Sequence, residues 1–545
     1  MQINSDLHCH PGLKGSNGDL EPKEIWNRQP PSGAIHKLNK QIRKAINALA
    51  RGSQADLNAC AKGQARLLFV SIYPFEIPFL KIDPKKPFRL LFKFILPKKK
   101  YTTLGEAALG IKEDKIGAML ASASSPTGFN YFEEYESELK FLIDAQQTKS
   151  DDPDLADFSF QLANDYDHYQ GMINDPNKIV GILSVEGAHA FGKYAFANFF
   201  CYGFEQLSDQ QKNDLRTSFD QNIQRVKSNQ TPGAVPFFIT FSHHFNNLLA
   251  GHSTSLSDKS VLKKTFFKTF FAPGMRHLFD QRPNLETGFS ELGLEVLKSL
   301  LDRSNGRRIL IDTKHMSPKS RKQFYEILEH EYANDPVPIV HSHGAVSGWK
   351  TLDEALSKTN DRHLDAGSFI SRWTINLTDE DLSVTFKSNG LVGVCLHEGR
   401  MPGSLFKEQK KRLKKESEIQ DLYLKLLWSN VFHMAKVHLD TISQYNLVER
   451  NNWEGLTIGS DYDGIVDPFD DYRSIADYPE LRQEMIEYVL QQKEIIDVVS
   501  QQRLTQDQIQ TILGSHSVED VVELLFYKNA DQFLKQYFTK AYLEA

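Results

Sequence analysis

Cysteine is scarce in this chain: four in 545 residues, Cys9, Cys60, Cys201 and Cys395, with no CxxC spacing among them. That argues against a disulfide-stapled fold or a structural zinc knuckle and predicts a reducing compartment. An excess of positive charge is lacking too. Lysine and arginine number 64 against 70 acidic residues, a net charge of −6, so no nucleic-acid footprint is present. No apolar run approaches the roughly 20 residues that a membrane-spanning helix needs. The amino terminus has neither a basic n-region nor an apolar h-region, and the carboxyl end lacks the apolar tail of a lipid-anchor signal. A cytoplasmic location is expected. Solenoid-length repeats, low-complexity linkers, a GxSxG elbow and a paired Cys/His nucleophile signature are missing as well, which leaves water as the candidate nucleophile.

What the chain does contain is a series of short apolar runs that end on histidine, glutamate or aspartate. They are Asp6–His10 (DLHCH), Gly181–Glu186, Phe237–His243, Ile309–His315, Val337–His343, Leu391–His397 and Leu456–Asp461, and Ala65–Tyr73 (ARLLFVSIY) brings the number of strand candidates to eight. Strands buried on both faces read as continuous apolar stretches. Between them lie segments of helical periodicity, such as Ser317–Tyr332 and Asp379–Asn389. Alternating strands and helices imply right-handed βαβ units, and eight of these close into a (β/α)₈ barrel, whose chemistry sits at the carboxyl ends of the strands. A single α/β barrel domain over residues 1–545 is expected, with insertions at about 74–178 and 398–455, where the gaps exceed one helix and two loops.

The first insertion includes Lys81–Lys100, KIDPKKPFRLLFKFILPKKK, eight basic residues around an apolar core. Such a segment suits an anionic membrane surface. Packing on the barrel with solvated lysines is the preferred reading, so membrane contact is not expected. The second holds Lys407–Lys415 and an amphipathic stretch, Leu422–Val437, expected to be a helix with a solvated face. Oligomeric state is left open, with a homodimer compatible.

An HxH pair on a strand places both imidazoles on one face, because side chains alternate, and His8 and His10 can share one cation. Glu186, ending a buried strand before Gly187, is a carboxylate that burial disfavours unless it is paired or bound to metal. It suits a bridge between two ions. His315 and His343 would supply imidazoles to the second ion, although His341 and His343 form another HxH pair that spacing does not resolve. Asp461 would take a proton from a metal-activated water and return it to a leaving group. Asp463 reads as a turn residue. His189, His244, His252 and His397 read as pocket or structural histidines.

In order and context, VEGAHA, ITFSHHFNN with Leu249–His252, IDTKHMS, PIVHSHGA and IGSDYDG resemble the membrane (renal) dipeptidase family, a branch of the metal-dependent amidohydrolase superfamily. The resemblance runs from Asp6 to about Leu504–Leu525 and leaves the insertions unmatched. It implies a first zinc on His8 and His10, a second on His315 and His343, and Glu186 bridging them. It favours His343 over His341, gives His243 the substrate carbonyl or its developing oxyanion, and gives Asp461 the acid/base role. The implied activity is hydrolysis of an amide in a dipeptide or N-acyl amino acid by a hydroxide held between two divalent ions. Three departures stand out. His10 replaces the family's aspartate, which alters the charge of the first site. Ile375-Asn376 stands where the family places a carboxylate-binding arginine, with Arg372 nearby but out of register. The insertions, finally, reshape loops near the mouth. A phosphoesterase of the PHP type, which also begins DxHxH, and a non-catalytic metal-binding barrel are the alternatives.

Overall fold

The computed structural model describes residues 2–30, 52–80, 102, 106, 110–256, 280–359 and 364–544. The segment 81–100 lies outside the described residues. Eight parallel strands follow one another around a barrel: β1 (Asn4–Cys9), β2 (Ala65–Ile72), β3 (Lys178–Glu186), β4 (Phe238–Thr240), β5 (Leu310–Asp312), β6 (Val340–Gly344), β7 (Leu391–Val394) and β8 (Leu456–Ile458). All eight sit on the apolar runs named above, and the expected (β/α)₈ architecture is borne out. Their side chains are almost wholly buried, inward against the barrel interior and outward against the helices. β6 begins at Val340, after the apolar Val337-Pro338-Ile339, in keeping with proline having no N–H for a sheet ladder.

Closure between β8 and β1 runs through loop backbone. Asp461 donates its N–H to the His8 carbonyl at 2.9 Å, and His10 donates to the Tyr462 carbonyl at 2.9 Å. Asp6 seals the seam: its carboxylate accepts from the backbone N–H of His8 and Ser460 and from the hydroxyls of Ser460 and Tyr478. Next to this seam β6, β7 and β8 crowd together, and a Cβ on Gly393 or Gly459 would overlap the Ser342 carbonyl.

Several connecting helices carry their own start signal. Ser317 caps Pro318–Glu331 by accepting from the Ser320 N–H, with proline in the first turn, and Thr378 and Asp381 form a capping box on Asp379–Lys387. Ser208 and Gln211 do the same for Asp209–Lys227.

The stretch between β2 and β3 contains helix Tyr131–Ala145 and a further strand, Ser159–Leu162, which pairs parallel with β3 outside the barrel circuit. The stretch between β7 and β8 holds Glu416–Tyr445, and here the expected solvated face is corrected. From Leu422 to Ala435 only Lys425 is more than marginally exposed, because the helix is covered by the barrel and by helices Asp379–Lys387, Tyr478–Leu490 and Gln506–Leu513. The lysine-rich Lys407–Lys415 is mostly solvated, as expected, though Lys410 reaches Glu398 and Asp470. Among the described residues no helix is long and apolar enough to cross a membrane.

Candidate metal centre

The carboxyl ends of six strands deliver side chains to one buried cluster. His8 and His10 come from β1, Glu186 from β3, His243 from just past β4, His315 from just past β5, His343 from β6 and Asp461 from just past β8. Glu186 is at the centre. Its Oε1 lies 3.4 Å from His8 Nε2, 3.6 Å from His315 Nε2, 3.8 Å from His343 Nε2 and 3.4 Å from His243 Nε2, while Oε2 lies 3.3 Å from His10 Nε2. Asp461 faces the same space, 3.7 Å from His10 Nε2 and 3.6 Å from His343 Nε2.

Two overlapping donor sets share Glu186: His8, His10, Glu186 and Asp461, and Glu186, His315 and His343. Two ligand atoms each about 2.0–2.1 Å from one tetrahedral ion lie roughly 3.3–3.4 Å apart. The spacings found here begin at that value. They are longer than the usual charge-assisted hydrogen bond, His8 Nε2 and His10 Nε2 lie 3.1 Å apart, and the set suits donors arranged around a common cation. His10 Nδ1 donates to the Ser71 carbonyl at 3.0 Å, which leaves the Nε2 lone pair aimed at the cluster. His343 Nδ1 bonds the Ser342 hydroxyl at 2.9 Å. Both nitrogens of His315, Nε2 of His343 and Oδ1 of Asp461 are buried without a hydrogen-bond partner. Orphaned polar atoms of this kind converging on one point fit a divalent metal site. A third set, His243, His244 and His315, contains no carboxylate to balance a cation.

The electrostatics separate the two acids. Burial raises the Glu186 pKa, but the facing His243 and His8 more than offset this, and the carboxyl is held well below its usual range. Burial pushes Asp461 up and the charge of Glu186 adds to it, against the opposing bond from His10. Burial would lower His10, yet Asp461 and Glu186 together push it up to about 10. The field that pulls a proton onto His10 is the same field a metal ion would use. Asp461 is also the more open acid, its side chain 12% exposed against 3% for Glu186.

His243 is oriented from behind. Its Nδ1 donates to Glu76 at 2.6 Å, and the same carboxylate accepts the backbone N–H of His244 and Phe245. Burial lowers the His243 pKa, but Glu186 and Glu76 outweigh it and raise it to about 9. Glu76 was not foreseen. The one signal for it was a glutamate three residues past the Ala65–Tyr73 run, which otherwise ends with no charged residue.

His341 and His343 diverge although they are two residues apart on one strand. β6 carries one extra residue between His341 and Gly344 relative to β7, a bulge that turns His343 to the cluster and leaves His341 against Thr313. Arg372 is engaged elsewhere: its guanidinium lies 3.7 Å above the Trp349 ring and donates to the Gly348 carbonyl. Asp463 ties the Gln54 and Ala55 backbone to Lys14. His189 donates to the Pro74 carbonyl, and His397 bonds around Asp467 and Gly399.

No family model and no curated protein matches the chain. Among solved structures it is similar to a metallopeptidase from Rhodobacter sphaeroides liganded with a phosphinate mimic of the dipeptide L-Ala-D-Ala, with a TM-score of 0.49 at 13% identity over 98% of each chain. It is similar as well to the dipeptidase AC, a metallopeptidase of family M19, with a TM-score of 0.48 at 13% identity over 98% of each chain. An amidohydrolase from Pseudomonas aeruginosa aligns at 0.38 and 11% identity over 88% of this chain and 91% of its own.

Proposed function

We propose that the chain is a metal-dependent hydrolase that cleaves the amide bond of a small peptide-like substrate, a dipeptide or an N-acyl amino acid. The five motifs and their order support placing it in the membrane dipeptidase family. The single observation that carries the reading is the shared position of Glu186 between two imidazole pairs, with a second acid, Asp461, set apart from it in exposure and proton affinity.

In this reading His8, His10 and Glu186 hold one divalent ion, and Glu186, His315 and His343 hold the other. When bound, such ions polarise a scissile carbonyl and lower the pKa of a water toward neutrality. Glu186 neutralises part of their charge and stays ionised. Asp461, at the open edge of the cluster, accepts the proton of the attacking water and hands it to the leaving nitrogen. His243, held by Glu76, directs Nε2–H at the carbonyl oxygen, where negative charge develops. No step needs a covalent bond to the protein.

The test is metal analysis of the purified protein together with a hydrolysis screen of dipeptides, N-acyl amino acids and phosphate monoesters. About two ions per chain and cleavage of amides are expected. Asp461→Asn should keep its metal and lose on the order of 10²–10⁴-fold in kcat. Activity confined to phosphate monoesters, or an Asp461→Asn enzyme as fast as wild type, would overturn the reading.

A further inference from the structure

One imidazole of the candidate centre breaks a pattern that most of the others keep. A metal-ligating histidine fixes its ring by hydrogen-bonding through the nitrogen that does not face the ion. His10 does so at the Ser71 carbonyl, His343 at the Ser342 hydroxyl and His243 at Glu76. His315 is buried and has a partner on neither nitrogen. Nδ1 of His8 is bare as well, but His8 belongs to one donor set, whereas His315 belongs to two. The second is His243, His244 and His315, with donor atoms all within 4.8 Å of one another.

The three rings surround a common space, with centroids 4.1 Å apart for His243 and His244, 4.5 Å for His243 and His315 and 4.6 Å for His244 and His315. His244 is oriented as a ligand is. Its Nδ1 lies 2.6 Å from the Ser255 hydroxyl, and Gln281 Nε2 donates both to that hydroxyl and to the His244 carbonyl, each at 2.7 Å. Its Nε2 has no hydrogen bond among the described residues. Three neutral imidazoles suffice for zinc in open sites, where water or an anion takes the fourth place. The set has no carboxylate of its own, but Glu76 backs His243, and Glu186 Oε1 lies 3.4 Å from His243 Nε2. Donors around a filled tetrahedral ion are roughly 3.3–3.4 Å apart, so the rings must close by about an ångström. That adjustment, beside two other ions, makes this the weakest of the seats.

We propose that His243, His244 and His315 form a third cation seat, filled by zinc or a similar borderline-soft divalent ion once the pair is loaded, and that filling it inhibits the enzyme. The inference rests on the paired-centre reading and adds a regulatory ion to it. The ion displaces the Nε2 proton of His243 to solvent, which removes the donor aimed at the carbonyl oxygen. His315 releases its ring proton and offers one nitrogen to the pair and the other to the new ion. Imidazole donors suit zinc or nickel, while magnesium and calcium prefer oxygen, so an excess of hard cation leaves the seat empty.

The full-length chain carrying its tightly held ions is dialysed against increasing zinc, with magnesium as the control, and ion content is measured beside amide hydrolysis. Wild type should take up one further zinc while its activity falls in step by on the order of 100-fold, the loss expected for one oxyanion donor. Magnesium should do neither. His244→Asn, which removes a ligand, and Ser255→Ala, which removes only the group behind it, should each raise the zinc needed for uptake and for inhibition by on the order of 10–100-fold. Tightly held ions and activity at low zinc should stay within a few-fold of wild type in both. The proposal is overturned if excess zinc adds no ion, if both variants hold the added ion as wild type does, or if uptake and inhibition fall at separate zinc concentrations. A chain that retains no tightly held ions and cleaves no amide would sink the paired-centre reading instead, and zinc uptake that depends on His244 still decides the seat without turnover.

Discussion

The two halves of the barrel mouth hold the same kinds of ligand in opposite electrostatic settings. On the β1, β3 and β8 side, two carboxylates, Glu186 and Asp461, face His8 and His10, and His10 is pushed up to about 10. On the β5 and β6 side, His315 and His343 share Glu186 with the first half and stand near the positive charge of Lys314. Burial above all, and neighbouring charge after it, holds both far below the usual histidine value. One half is poised to attract a cation unaided; the other depends on a carboxylate it borrows. On the proposed reading, the site is one unit hinged on Glu186, not two independent ion sites.

The strongest way to break that view is Glu186→Gln. Both ions should leave together, with activity falling by on the order of 10⁴-fold or more, because each half loses the charge that offsets desolvation. Elemental analysis checks it. Retention of a single ion would show that the halves are separable and that Glu186 is an ordinary ligand of one of them. Graded chelation of wild type sharpens the same contrast. The β5 and β6 half should empty first, with affinities differing by roughly 10³-fold, given that one carboxylate at about 4 Å is worth about 4 kcal/mol to a unit charge at an effective dielectric near 20. Simultaneous loss of both ions at every chelator concentration would contradict it.

The contrast between halves was only partly legible in the sequence. The eight strands were readable because side chains buried on both faces leave no polar alternation, and the ligands were readable because they terminate those runs. Ser159–Leu162, with alternate residues half-exposed, offered no such run. What happens past the strand ends has no periodicity. His315 and Asp461 have φ of 65° and 63°, a left-handed backbone costing about 1–3 kcal/mol that re-aims each side chain after its strand. Nothing in IDTKHMS announces that turn, and the turn read at Asp463 in IGSDYDG, whose φ is 67°, did not mark Asp461 as well. The β6 bulge selects His343 over His341, and bulges leave no mark in composition. Glu76 reaches the mouth from a loop, where residue type alone did not distinguish a buried contact from a solvated one.

His243 lies between the halves, 3.4 Å from Glu186, and its orientation depends on Glu76 behind it. Glu76→Gln keeps the size and one acceptor but removes the charge that anchors Nδ1–H and the two backbone N–H groups. A fall of about 10–100-fold in kcat, with ion content unchanged, is expected for a partner one step removed from the chemistry. If KM rises and kcat does not change, His243 positions substrate and does not act on the developing charge.

The smallest effect on the site itself concerns a third acid on the β1 side. Glu138 is fully buried behind His10, with Oε2 accepting from the Tyr73 N–H at 3.0 Å and Oε1 without a partner. Burial pushes its carboxyl from 4.5 up to about 7, against a weaker pull from His10. If it were ionised throughout, the first half would carry three negative charges and its advantage over the second would be larger than drawn above. The folded state holds this proton more tightly than the unfolded chain. Raising the pH from about 4.5 to 7 therefore removes stability, and below about 4.5 both states are protonated and the contribution vanishes. Glu138→Gln, which keeps the acceptor for Tyr73, should be more stable than wild type by up to about 3 kcal/mol at pH 8, at 1.36 kcal/mol per pKa unit. The gap should close as the pH falls to about 4.5. Denaturant unfolding of the two proteins across that range measures it, and parallel curves would mean that Glu138 is ionised in the fold and that the β1 half holds the extra charge after all.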